Sequence, residues 1–229
     1  MEYQREELMI NDKINLLKSK TVLVLGLGGV GGYVTESLAR GGIGHLILVD
    51  YDKVDITNIN RQIIALHSNI GKKKTDCFKE RIRDINPKII VDTLDLFYSD
   101  DTKEELFKYK IDYIIDCCDS LESKKSLIIE SFKRNIPIIS SMGTGNKFHP
   151  ELFTITTLNK TEYDPLAKKL RFLLKDYKDI LKNLKVIYSK EQPLPYKGKI
   201  GSISYVPSVA GLLLTSYVIN EFLGENKEK

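Results

Sequence analysis

Cysteine and histidine are scarce in this sequence, three of each in 229 residues. Cys77, Cys117 and Cys118 form no CxxC pair, and His45, His67 and His149 stand apart from them and from one another. That excludes a zinc site of familiar spacing and a disulfide framework, and it reads as buried thiols in a reducing compartment. No cysteine occurs after residue 118, so a thioester or persulfide step on the C-terminal half has no nucleophile. The first eight residues, MEYQREEL, are too charged for the apolar core of a signal peptide. The longest apolar run near the C terminus, residues 209–214, is far too short for a membrane span. Neither sign of charge dominates: Lys+Arg 35 against Asp+Glu 31 gives +4, too slight by itself to indicate nucleic acid. The expectation is a soluble, cytoplasmic protein with no membrane partner. At 42% hydrophobic content the chain can bury one sizeable core.

What is present is a glycine-rich stretch around which the rest is arranged. Residues 21–50 read TVLVLGLGGVGGYVTESLARGGIGHLILVD. The apolar run 22–25 suits a buried parallel strand. Gly26, Gly28 and Gly31 follow in GxGxxG spacing, with Gly29 between them. Helical periodicity then runs through Val30, Val34 and Leu38, and residues 46–49 give a second strand closing on Asp50. Such glycines let the backbone approach a phosphate at a helix N-terminus, where unpaired N–H groups favour an anion. Asp50, at the tip of the second strand, is placed to accept hydrogen bonds from ribose hydroxyls. Strand before, helix after and an acid some two dozen positions on together indicate a nucleotide.

The remaining periodicity predicts a short helix over 6–17, a basic amphipathic helix over 71–84, and strands at 89–91, 111–115 and 136–140. Helices over 102–109 and from Ser120 to about 134 separate the last three. Alternation of this kind gives a doubly wound, mostly parallel α/β sheet. From Gly143 the pattern changes: a turn-rich loop, alternating residues at 152–158, a basic helix over 165–177, and a strand at 184–189. An irregular, mobile loop is expected over 191–201, a last strand at 203–206, a helix from Pro207 to about 223, and a frayed tail over 225–229. The whole, 1–229, reads as a single domain with an N-terminal helix (1–18), a nucleotide-binding core (19–142) and an antiparallel extension (143–229).

Three features favour ATP over a dinucleotide. Arg61 and Lys74 lie in the crevice-side segment after the second strand. Asp116 and Asp119 follow the fourth strand, where open α/β sheets bind ligands. A carboxylate there can hold Mg²⁺ against a triphosphate but would repel the phosphates of a nicotinamide cofactor. An NAD-dependent oxidoreductase or a nucleotide-sensing module remains the contrasting reading. Lys168, Lys169, Arg171 and Lys175 fall on or near one helix, and Lys197 and Lys199 in the loop before the last strand; from composition alone these read equally as solubilising lysines or as an approach surface for a polyanion.

These residues resemble a known family. The strings GLGGVGGY (26–33), Asp50-x-Asp52, Thr57-Asn58-x-Asn60-Arg61-Gln62, Lys74 and Asp119 are similar to those of the ubiquitin-activating, ThiF/MoeB/HesA-type adenylating enzymes. REEL (5–8), RIRDINP (81–87), SMGTGNK (141–147), DPLAK (164–168), VIYSK (186–190) and GSISYVPSVAG (201–211) resemble the tRNA threonylcarbamoyladenosine dehydratase branch. The resemblance implies a Rossmann-like fold, ATP and Mg²⁺, no zinc, and transfer of AMP to a carboxylate of the modified nucleoside, followed by ring closure. It also implies a tRNA substrate and a homodimer. By correspondence Asp50 would hold the ribose, Asn58, Arg61 and Lys74 the phosphates, and Asp119 the Mg²⁺. Gly26, Gly28, Gly29, Gly31, Asp52, Thr57, Gln62 and Ser120 would complete the nucleotide site, and Arg5 would reach across the dimer. The competing reading within the family is adenylation of the C-terminal carboxylate of a ubiquitin-like or sulfur-carrier protein; no such partner is legible in the sequence.

Overall fold

The computed structural model describes residues 3–195 and 198–226; Lys197 and tail residues 227–229 lie outside them. Seven strands form one sheet: β1 (Thr21–Leu25), β2 (His45–Val49), β3 (Ile90–Leu94), β4 (Tyr113–Asp116), β5 (Ile138–Ser141), β6 (Phe153–Thr157) and β7 (Lys185–Ser189). Their order is β3-β2-β1-β4-β5-β7-β6, and every neighbouring pair is parallel except β6 with β7. The order reverses at β1, whose chain-neighbour β2 lies on one side and β4 on the other. A crevice opens there beyond the carboxyl ends of the strands.

Period-two alternation splits each central strand between two cores. On one face Val22, Val24, Leu46 and Leu48 pack with α2 (Lys13–Lys18), α3 (Gly31–Arg40), α4 (Lys74–Ile85) and α9 (Tyr205–Leu223). On the other, Leu23, Leu25, Ile47 and Val49 meet α5 (Lys103–Phe107), α6 (Leu121–Lys133), α7 (Pro165–Leu173) and α8 (Lys178–Asn183). The last helix, α9, is 19 residues long and apolar enough to cross a membrane. Here it is a core helix: Val206, Ala210, Leu214 and Val218 are buried against α3 and the sheet.

Three expectations are corrected. The first helix is two, α1 (Gln4–Ile10) and α2, because Asn11 takes a positive φ of 50° and breaks the run. The basic helix expected to reach residue 177 ends at Leu173, and α8 follows after a turn in which Tyr177 N donates to Leu174 O. Residues 203–206 form no strand. α9 starts at Tyr205 instead, with Pro207 in its first turn, where a missing N–H costs nothing. The antiparallel extension expected in the C-terminal third is present: β7 joins β5 in parallel register and β6 closes the sheet antiparallel to it.

The loop expected to be mobile is hydrogen-bonded at both described ends. Leu194 N donates to Asn146 O, Gly201 N to Asn146 Oδ1, and Phe148 N and His149 N to the Glu191 carboxylate.

Candidate nucleotide site

The site begins where β1 turns into α3. Gly26 has a φ of +87°, and a Cβ there would lie 2.9 Å from the backbone of Cys117. A Cβ at Gly31 would run into the carbonyl oxygen of Gly26. A side chain at either position would force the turn open, so the first glycine permits the bend and the last lets the helix close on it. The turn is fixed from beside by Gly26 N, which donates to Val49 O, and by Leu27 N, which donates to Asp50 Oδ2 at 2.6 Å.

Asp50 is buried at the tip of β2 and also accepts from Asp52 N at 2.8 Å. Burial pushes its carboxyl above the usual range, opposed by the nearby Lys74 ammonium and by these two backbone donors. Lys74 opens α4 and is itself buried, 4% exposed. Its Nζ donates to Asp52 Oδ2 at 2.8 Å and stands 4.0 Å from Asp50 Oδ1. A lysine kept out of water and turned toward two acids is a cation held ready at the mouth of the crevice.

The segment between β2 and α4 wraps over the glycine turn. Asp55 caps a 3₁₀ turn, Ile56–Asn58, by accepting from Thr57 N, while Asn58 Oδ1 accepts from Asp55 N. Arg61 Nη1 donates to Thr57 O and Asn60 Oδ1, both at 2.9 Å. The ideal Cβ position at Gly29 lies 3.5 Å from Arg61 Cγ and 3.2 Å from Pro207 Cβ, and that at Gly28 lies 3.8 Å from Gln62 Nε2. Arg61, Gln62 and the start of α9 therefore all adjoin the glycine loop. Gln62 is buried, and its Oε1 has no hydrogen-bond partner among the described residues.

On the other side of the turn, β4 ends in two acids of different kind. Asp116 is fully buried and accepts from Lys124 Nζ at 2.7 Å and Ser140 Oγ at 2.6 Å. Asp119 is exposed and, among the described residues, carries no hydrogen bond or ion pair. Its charge, with those of Asp52 and Asp50, acts on Tyr51 and lifts that phenol's pKa, Asp52 most strongly. Ser120 is the N-cap of α6, accepting from Ser123 N. Burial holds the Cys117 and Cys118 thiols well above their ordinary pKa, which leaves them un-ionised at neutral pH.

Arg5 is not brought to this cluster. It is exposed on α1, which packs near the C-terminal end of α3, where the ideal Cβ position of Gly41 lies 3.9 Å from Glu6 Oε1. The glycine loop is at the opposite end of α3, ten residues or about 15 Å away. Sequence reasoning also missed Lys124, whose pattern within a helix marks nothing, and the aromatic pair of Tyr51 and Phe97, edge-on at 5.1 Å beside the crevice. Adjacency of Tyr51 to Asp50 was the available signal for the latter. Among the described residues no three His, Cys, Asp or Glu side chains cluster as a metal centre.

The chain is 42% identical to the tRNA threonylcarbamoyladenosine dehydratase of Bacillus subtilis (strain 168), over 97% of this chain and 94% of that one. Its structure resembles Escherichia coli tRNA N6-threonylcarbamoyladenosine dehydratase, TcdA, in complex with ATP, with a TM-score of 0.92 and 33% identity, covering 98% of this chain and 94% of that one. The complex of the same enzyme with AMP gives 0.91 and 34%, covering 97% and 94%. The ThiF family matches residues 3–229, and the chain belongs to that family.

Proposed function

We propose that this protein dehydrates threonylcarbamoyladenosine in tRNA at the expense of ATP. The carboxylate of the modified nucleoside attacks the α-phosphorus, and pyrophosphate leaves. A nitrogen of the same modification then attacks the acyl carbon. The ring closes, AMP departs with the former carboxylate oxygen, and the nitrogen's proton is lost to a base.

One observation carries this reading: a buried lysine, a half-buried arginine and strand-end carboxylates meet beside a glycine turn along the full length of a dehydratase-like chain. Two anions must come together in the first step, so fixed cations have to neutralise the charge developing on the phosphoryl oxygens. Arg61 and Lys74 are assigned that work, with Asn58 and Thr57 beside them. Asp50 and Asp52 hold the ribose side, the backbone of Gly26, Gly28, Gly29 and Gly31 faces the phosphates, and Gln62 and Ser120 line the wall. Asp119, free of protein partners among the described residues, fits Mg²⁺ of the kind that takes one carboxylate together with substrate phosphates. When bound, that ion would neutralise phosphate charge. Arg5 stands too far from its own glycine loop, which supports a homodimer in which it serves the partner's site. A tRNA substrate supports a cytoplasmic setting for the reaction.

The absence of any cysteine after residue 118 and the un-ionised Cys117 and Cys118 favour a nucleophile supplied by the substrate, for which orientation suffices. Incubating the protein with ATP, Mg²⁺ and modified tRNA, or with a ubiquitin-like carrier protein in its place, separates the readings. Pyrophosphate release with tRNA alone, with the nucleoside lighter by one water, is the expected outcome. Release with the carrier alone would overturn the proposal.

A further inference from the structure

The geometry points to a second RNA contact, a pocket at the N-terminus of α7 that takes the base of a nucleotide neighbouring the one modified; this rests on the tRNA reading above. A cavity of about 420 Å³ is lined by Tyr163, Asp164, Pro165, Lys168 and Arg171, a size suited to a small ligand. Two of its walls are fixed. Asp164 caps α7 by accepting from Ala167 N at 2.9 Å, and its other oxygen accepts from Gly143 N and the buried Lys147 ammonium, both at 3.1 Å. Arg171 donates to Thr161 O at 3.0 Å and to the Thr161 hydroxyl. The guanidinium thus braces the segment leading into the helix instead of standing free.

Tyr163 is the part of the pocket that has no structural task in view. It is 63% exposed, and its φ of 56° lies in the left-handed region, unusual for a bulky residue. An aromatic ring held out to solvent beside a helix carrying Lys168 and Lys169, with Lys175 just past its end, matches how single-stranded RNA is gripped, with bases on aromatic faces and phosphates on cations. Phe172, 68% exposed with Lys175 Nζ 5.4 Å from its ring centroid, continues the same surface.

Placement supplies the link to the reaction. Gly143, bonded to Asp164, lies two residues beyond the end of β5, and β5 is the immediate neighbour of β4, which leads to Asp119. β4 and β5 are parallel, so Gly143, with Asp164 bonded to it, and the residues leading to Asp119 follow neighbouring strands at the same carboxyl edge of the sheet; a single RNA strand laid along that edge would pass both. Only a flexible loop or end of RNA presents unstacked bases for such a pocket.

The test measures affinity of the full-length protein for modified tRNA and, separately, for ATP. Tyr163→Ala is expected to weaken tRNA binding by about tenfold, the scale of one lost base stack, with ATP affinity unchanged. Tyr163→Phe, which keeps the ring, is expected to stay within about twofold of the parent. An unchanged tRNA affinity in Tyr163→Ala would overturn the pocket while leaving the tRNA reading intact. Equal losses in the Ala and Phe variants would overturn stacking in particular. Failure of the parent protein to bind tRNA at all would remove both.

Discussion

The ammonium of Lys124 lies 2.7 Å from Asp116 Oδ2, and neither side chain has any exposed surface. Lys124 also donates to Ser140 Oγ and Ser141 O, both at 3.1 Å. The pair ties α6 to the ends of β4 and β5, directly under the turn that presents Asp119. Lys124→Ala strands a buried carboxylate and is expected to cost about 3–5 kcal/mol. The double variant Asp116→Leu with Lys124→Met should recover much of it in urea denaturation. A single variant as stable as the parent would refute this account of the pair.

Arg61→Ala and Asp119→Ala test the reacting end of the site. Both side chains are at least partly exposed and neither supports a core. Each variant is expected to keep its melting temperature within about 2 °C, since surface changes away from such features are usually small. ATP-dependent pyrophosphate release should fall by about a hundredfold or more, the usual cost of deleting one preorganised charge-stabilising group. Near-normal release by either purified variant contradicts the assignment.

Gly31→Ala tests the closing of α3 onto the loop. The added methyl meets the Gly26 carbonyl, a backbone atom that cannot swing aside. A loss of about 3 kcal/mol or more is expected, read from the denaturation midpoint, with ATP affinity falling alongside. A variant with parental stability and affinity would mean that the turn has room the structure does not show.

Asp50 makes a pH-dependent contribution whose sign follows from its raised pKa. The folded state holds this proton more tightly than the unfolded chain does. Its contribution to stability is therefore fullest below the ordinary carboxylate range and is lost as pH rises through the folded value. Asp50→Asn, which cannot ionise, should gain in stability relative to the parent between about pH 4 and 7. It should also lose ATP affinity, with no ribose-side charge to offer. Parallel stability profiles for the two proteins across that range would show that the carboxyl is not strained by burial.

The two strand-end acids show what a sequence can and cannot convey. Asp116 and Asp119 are three positions apart after the same apolar run and look equivalent in one dimension. What separates them is Lys124, one turn into the next helix, which engages one and leaves the other to solvent. The strand-turn-helix with its glycines and Asp50 was legible because local steric demands and a two-dozen-residue spacing suffice to mark it. The alternating helices and strands likewise gave the sheet, through their periods. The strand expected at 203–206 failed because its β-branched residues had no neighbouring strand to pair with, a fact set by distant parts of the chain. The split of the basic helix at Leu173 lacks a proline or glycine to announce it. Arg5, Arg61 and Lys74 illustrate the same limit: resemblance supplied all three, but only coordinates show the last two beside the glycine loop and the first at the far end of α3.

The contact of α9 with the glycine turn has a consequence for biosynthesis. Pro207 adjoins Gly29, Gly211 sits against Val30 and Tyr33, and Thr215 Oγ1 donates to Val34 O across 181 positions of sequence. The turn is synthesised well before its roof, which lies far along the chain. Until α9 has been made and has packed, the glycine turn is uncovered and α3 leaves an apolar flank bare.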